Sequence, residues 1–155
     1  MAYVKTNWVD DVTPLSATNL NNIETGIESN STEQDKMGKY TEITANYTPG
    51  VQSCIVDFTT EVHDDLNMWA IGIPDRIIIP AGVSLITVYG YDGETDVGVG
   101  DGALRKNGSD IARGLRFHAN TSAIPVSTGD YIQMYHDGNF SGSLIAARMR
   151  VVIIK

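Results

Sequence analysis

The chain has 155 residues, 42% of them hydrophobic, with 19 acids against 11 Lys and Arg and a formal net charge of −8. That length suits one domain with a short appendage, large enough to bury roughly 70% of its unfolded surface without disulfides or metal; the single cysteine, Cys54, has no partner for an intrachain bridge and reads as a small core hydrophobe. The acidic balance excludes sequence-independent binding to DNA or RNA, which a basic surface drives. No apolar run reaches the length of a membrane span, and "MAYVKTNWVDDV" carries acids where a secretory leader needs an apolar stretch. The expectation is a soluble protein made in a reducing cytoplasm, with neither nucleic acid nor membrane as partner.

The chain divides near residue 40. Residues 1–40 carry six acids, three bases and a helical pattern. Thr13-Pro14 offers a cap followed by proline, and Ser16 a second cap. Leu20, Ile23 and Ile27 follow at spacings of three and four, and the same heptad continues through Asn30, Gln34 and Met37. Carried to Met37, the helix would run about 24 residues, or about 36 Å. Gly26 and the Asn, Ser and Thr content weaken it, so it cannot stand alone in water. Its seam is narrow, as in a coiled coil, and Asn or Gln at core positions sets register and oligomer state. The spacing therefore predicts a helical neck of several copies.

From Thr41 onward β-branched and aromatic residues dominate, broken by Gly, Pro and Asn turns every 8–15 residues, the pattern of an all-β sandwich or barrel over 41–155. "YTEITANY", "IVDF" and "LNMWAIGI" are its first apolar segments. "RIIIPAGVSLITVYGY" reads as two strands split at Pro80-Ala81-Gly82. In the second of them Ile86, Val88 and Gly90 share one face and Leu85, Thr87, Tyr89 and Tyr91 the other. A strand apolar on both faces, with tyrosines on the second, predicts a subunit contact there. "LRKNGSDIA" is a hairpin turning at Asn107-Gly108. "GDYIQMYH" and "SLIAARMRVVII" are the last two strands; in the latter Ile145, Ala147, Met149, Val151 and Ile153 alternate with Arg148 and Arg150. The Asn-x-Ser/Thr triplets at Asn30, Asn46, Asn107, Asn120 and Asn139 read as turn chemistry.

Catalytic patterns are missing. "GVGDGA" has the letters of a dinucleotide-binding loop, but a hairpin rather than a helix follows it. There is no G-x-S-x-G elbow, and His63, His118 and His136 have no metal-ligand spacing. The expectation is no enzyme; a wall-polysaccharide hydrolase would have to take its carboxylates from the Asp92–Asp101 loop. Two charged groups remain as binding candidates. Asp92, Glu94, Asp96 and Asp101 sit in one Gly-rich loop, where oxygen ligands can hold Ca²⁺, although the spacing is not that of an EF-hand; no other cofactor is expected. Arg105, Lys106, Arg113 and Arg116 lie within twelve residues with only Asp110 among them, a strip able to recognise phosphate or carboxylate groups. The alternative is that these cations neutralise neighbouring acids.

Two resemblances extend this reading. "IPAGVSLITVYGY", "LRKNGSDIA" and "IPVSTGDYIQMYHDGNFSGSLIAARMRVVII", in that order over residues 77–154, resemble the C1q/tumour-necrosis-factor-like jelly roll in the version found on bacteriophage fibre and receptor-binding proteins. "NWVDDVTPLSATNLNNIETGI", with its Trp, "TPL" and "NLNNIE", resembles an N-terminal segment that recurs on virion proteins of phages of Gram-positive bacteria. Residues 41–76 depart from the usual early strands, which leaves strand order there open. Together the resemblances imply a homotrimer in the virion: residues 1–40 attach to a phage capsid or tail protein and form a trimeric coiled-coil neck. Residues 41–155 form a jelly-roll head that adheres to a host cell-surface polymer. A capsid- or tail-decorating protein without a dedicated receptor is the alternative.

Overall fold

The computed structural model describes residues 16–47, 54–93, 101–115, 118–137 and 145–155. They fall in two compact units, Met1–Lys36 and Met37–Lys155. The first holds α1 (Ala17–Gln34). Its start is set by Ser16, whose Oγ accepts from the Asn19 amide at 3.2 Å while its carbonyl accepts from Leu20 at 3.1 Å, so one orphan amide is capped; the Thr13-Pro14 option lies outside the described residues. The helix has 18 residues and stops short of Met37, which falls in the following turn. Gly38, at φ 80°, closes that turn in the left-handed region that glycine tolerates best. Leu20 is 43% and Ile27 63% exposed; Asn30 and Gln34 are exposed too, and Ile23 is half-buried.

The second unit is a sandwich of two antiparallel sheets. One sheet runs in the order β3 (Thr60–Asp64), β1 (Tyr40–Tyr47), β11 (Ile145–Ile153), β5 (Leu85–Gly93), β8 (His118–Asn120), with β9 (Ile124–Pro125) also on β5. The other runs β2 (Cys54–Ile55), β10 (Tyr131–Asp137), β6 (Asp101–Lys106), β7 (Ser109–Leu115), with β4 (Ile77–Ile78) also on β10. The core lies between them: Ile43 from β1, Ile86 and Val88 from β5, Met149, Val151 and Ile153 from β11, and Leu104, Ile132 and Met134 from the facing sheet are all at most 1% exposed. Each such side chain stabilises the fold by roughly 1.5–3 kcal/mol. Period-two alternation holds in β11, where Ala147, Met149, Val151 and Ile153 point inward and Arg148 and Arg150 outward; the Ile145 side chain lies outside the described residues.

Two expected features appear as drawn. The Asn107-Gly108 turn has φ 51° and 79°, the pair of positive angles a two-residue hairpin requires. It is bolted to the start of β10: the Tyr131 amide donates to Asn107 Oδ1 at 2.9 Å, and the Asn107 amide to Tyr131 O at 3.0 Å. The split at Pro80-Ala81-Gly82 also stands, with Gly82 at φ 77° between β4 and β5.

"LNMWAIGI" forms no strand. The Asp64 carboxylate accepts from the Leu66, Met68 and Trp69 amides at 3.3, 2.9 and 2.9 Å and from the Thr41 hydroxyl at 2.7 Å. Those amides turn toward one side chain instead of toward a ladder, and Asn67 takes φ 53° at the bend. "IVDF" contributes only the end of β2, after which Val56 and Phe58 are buried, the Val56 amide still donating to Met134 O of β10 at 3.0 Å.

The connections sort the two ends of the sandwich. The chain comes in at Gly38 and Lys39, which exchange hydrogen bonds with Ile153 at 2.9 Å each, beside the start of β5. The Asn107-Gly108 turn is at this pole, because Tyr131 begins β10 there. β1, β5, β7 and β10 end at the opposite pole, and β2, β6, β8 and β11 begin there. Four strand ends and four strand starts therefore gather at the pole away from residues 37–39.

Candidate functional site

With no catalytic grouping expected, the surfaces to weigh are the two outward faces. On the six-stranded sheet, antiparallel register lines up Glu42 with Arg150 and Arg150 with Tyr89, and, one pair along, Thr44 with Arg148 and Arg148 with Tyr91. Glu42 is the unusual member. Its side chain is 4% exposed although it points outward from β1, because Arg148 and Arg150, 51% and 44% exposed, close over it. Arg150 reaches it through Nε and Nη2, and Arg148 Nε stands 3.3 Å away. Burying a carboxylate is costly unless cations of this kind stand against it. The Arg150 guanidinium also lies 5.1 Å from the Tyr40 ring, which stacks on His63 at 4.2 Å. His63 Nε2 in turn sits 2.9 Å from Asp65. The Tyr40 amide, and after it His63, holds the Asp65 carboxyl below the usual carboxylate range.

Beside this network is a hollow of about 460 Å³ lined by Thr44, Asn46, Tyr89, Tyr91, Ala146 and Arg148. Tyr89 is 37% exposed, and Leu85, Thr87 and Tyr91 are half-buried on the same outward face. The four residues expected to meet a neighbouring subunit thus share one surface, with the hollow toward the far pole. On the helix, Ile23, Gly26, Ile27 and Asn30 line a smaller hollow of about 120 Å³ along the expected seam.

The five-stranded sheet presents a different face. Arg105 Nε donates to Asp110 Oδ1 at 2.7 Å, Arg113 Nε to Asp110 Oδ2 at 2.5 Å, and Arg113 Nη1 to Asp137 at 3.3 Å. The two guanidinium groups, Arg105 before Arg113, hold the Asp110 carboxyl below its usual range. Arg105 also lies over the Tyr135 ring at 3.4 Å. Toward the near pole Arg76 grips Asp75 through Nε and Nη2 at 2.8 and 2.6 Å and covers the Tyr131 ring at 4.6 Å. The Gln133 amide donates to the same Asp75 at 2.8 Å. Lys106 donates to Pro125 O at 2.8 Å and pairs with Asp130 at 2.9 Å. Asp130 also accepts from Asn107 and from the Ser127 amide, and together these bring its carboxyl down to about 2.

The expected run of cations is therefore not a free strip. Arg105, Lys106 and Arg113 each hold an aspartate, and the three are spread along the strands, with Lys106 beside the near pole. Arg116 lies outside the described residues. So do Glu94 and Asp96 of the expected Ca²⁺ loop; Asp92 and Asp101, whose side chains are likewise outside them, belong to β5 and β6 at the far pole. Among the described residues no three His, Cys, Asp or Glu side chains are grouped to hold a metal ion. His136 is a core residue at 2% exposure, and His63 belongs to the Tyr40 stack.

Sequence reasoning missed Glu42, Asp75 and Gln133. Glu42 stands in an ordinary strand-like stretch, and only the pairing of the first strand with the last puts it between two arginines.

No family model matches the chain, and no curated protein matches it. Among solved structures it is similar to the globular domain of zebrafish complement 1qA protein, at 13% identity and a TM-score of 0.53, over 76% of this chain and 98% of that one. The likeness, with the two antiparallel sheets above, establishes a mainly β, C1q-like jelly-roll fold.

Proposed function

We propose that this protein is a homotrimeric phage virion fibre protein that adheres to a polymer of the host cell surface. The observation that carries the reading is the polarity of the sandwich. The chain comes in at Gly38–Lys39 on one pole, while four strands end and four begin at the other, as suits a head tethered at one end and presented at the other. The N-terminal "NWVDDVTPLSATNLNNIE" supports attachment to a capsid or tail protein, and so a virion location after synthesis in the host cytoplasm. Leu85, Thr87, Tyr89 and Tyr91 would lie between subunits, with the hollow beside them filled by a neighbouring copy. Leu20, Ile23, Ile27, Asn30 and Gln34 would form the neck, in which the exposed Leu20 and Ile27 would gain cover from the other copies. Weak binding at each head becomes useful through three heads per fibre. No enzymatic step is part of this reading.

The test is the solution mass of the intact chain, by sedimentation or light scattering, beside Tyr89→Glu/Tyr91→Glu, together with adhesion of the labelled protein to host cells. A trimer that the double substitution splits, and that coats cells, is the expected result. A monomeric intact chain overturns the assembly. A trimer that ignores cells but rebinds particles lacking the protein overturns adhesion in favour of a decorating role.

A further inference from the structure

We infer that the subunit contact joins two different surfaces: the edge of the sandwich that holds β3 and β4 on one copy docks on the tyrosine face of the next. This deepens the homotrimer reading above and rests on it. A closed ring of three uses a heterologous contact, in which each copy offers one patch to the neighbour ahead and another to the neighbour behind. Leu85, Thr87, Tyr89 and Tyr91 supply only one of the two. The second lies elsewhere on the same copy.

Its place follows from where apolar surface is left open. Apart from Met37, the exposed large hydrophobic side chains described in the β unit are Tyr89 on the face and Val62, Ile71, Ile73 and Ile78, at 53, 69, 45 and 38%. Those four share one edge. β3, which carries Val62, is the end strand of its sheet, and β4, which carries Ile78, pairs with β10 on the side away from β6. The segment between them is fixed across that edge: the Ile78 amide donates to Met68 O at 2.7 Å and the Phe58 amide to Pro74 O at 2.9 Å. The Ile73 amide donates to Ala70 O at 2.9 Å, which closes a turn with Ile71 at its tip, while Met68 and Trp69 anchor the segment in the core. An apolar patch held in this way marks a protein contact. β7 and β8, at the opposite edge, carry no exposed large hydrophobic side chain among the described residues.

Charge matches the two surfaces. Residues 54–75 contain Asp57, Glu61, Asp64, Asp65 and Asp75 and no Lys or Arg. Asp64, Asp65 and Asp75 are engaged within the copy, and Asp57 and Glu61 are exposed. On the face, the described charged side chains that point outward from β1, β5 and β11 are Glu42, Arg148 and Arg150, so one carboxylate between two guanidinium groups leaves a positive charge there. Face on face sets arginine against arginine and edge on edge sets acid against acid; only edge on face brings opposite charges together. The hollow of about 460 Å³ beside Tyr89 has room for the aliphatic side chains of the edge.

The test is cross-linking of the full chain with a short bismaleimide, with Cys54→Ala as background. Ile71→Cys/Tyr89→Cys should give covalent dimers and trimers on a denaturing gel, whereas Ile71→Cys alone stays monomeric there. Ile73→Asp added to the double-cysteine chain should cut the yield about tenfold with an unchanged circular dichroism spectrum. Asp57→Lys/Glu61→Lys should cut it several-fold at low salt and less at high salt. A trimeric chain whose double-cysteine variant gives no covalent ladder overturns this contact and leaves the assembly standing. A ladder from Arg113→Cys/Tyr89→Cys in place of Ile71→Cys/Tyr89→Cys overturns it in favour of the β7 edge. A monomeric intact chain overturns the homotrimer reading as well.

Discussion

On the six-stranded sheet one carboxylate, Glu42, is shared by two arginines and lies under them, whereas on the five-stranded sheet arginines and aspartates stand side by side at the surface. Both arrangements neutralise charge, but they cost different amounts to disturb. Surface pairs are screened by water and contribute at most about 1 kcal/mol. A buried carboxylate deprived of its cations cannot be rehydrated without opening the sheet. The first face also has a hollow flanked by tyrosines, while the second sets its tyrosine rings beneath guanidinium groups. One face is organised around a single buried charge, the other around a distributed set.

Arg148→Ala/Arg150→Ala should break this contrast most severely, by roughly 3–5 kcal/mol in urea unfolding, since Glu42 is left without either cation. A loss below about 1 kcal/mol would mean that the two faces are equivalent. Asp75→Ala on the other sheet should cost about 1–3 kcal/mol, most of it from the nearly buried Gln133 amide left without its acceptor. Gly108→Ala, at φ 79° in the turn that joins β6 to β7, should cost about 1 kcal/mol through strain alone, because open space surrounds an added Cβ except for the Tyr131 hydroxyl at 3.9 Å.

Acid should then act on both faces, since Asp65 beside β1 also titrates below its ordinary value. Asp75, Asp110 and Asp130 all titrate below their ordinary value of 3.8 in the folded chain. Their contribution is present above the unfolded value and lost as pH falls through the folded one. For Asp130 the window runs from about 4 down to about 2. Asp130→Asn should flatten the fall of stability in that window, read as the midpoint of urea unfolding against pH; an unchanged slope would exclude the Lys106–Asp130 pair as a contributor.

What was legible in the sequence was local. Alternation in "IAARMRVVI" marked which residues of β11 face inward, and Asn-Gly marked a turn, because both depend on neighbours in the chain. The Ser16 cap was legible for the same reason. Where the helix stops was not, since Met37 fits the heptad while the next residue, Gly38, takes φ 80° and closes the turn. Glu42 and Asp75 were opaque because their partners are contributed by remote strands whose register no local pattern reveals. Asp64 looked like one more surface acid, and its hold on three amides is what turns an apolar stretch into a loop.

The pairing of β1 with β11 has a consequence for how the molecule is made. β11 lies between β1 and β5 in its sheet and is synthesised after every other described strand. Until it leaves the ribosome, β1 has no partner on that side, Glu42 has neither arginine, and the sheet cannot close. Closure must bring together segments separated by nearly the whole β unit, which makes folding slow compared with helix formation. The segment that forms α1 is synthesised long before, and it is complete while the β unit still lacks the strand that joins its first to its fifth.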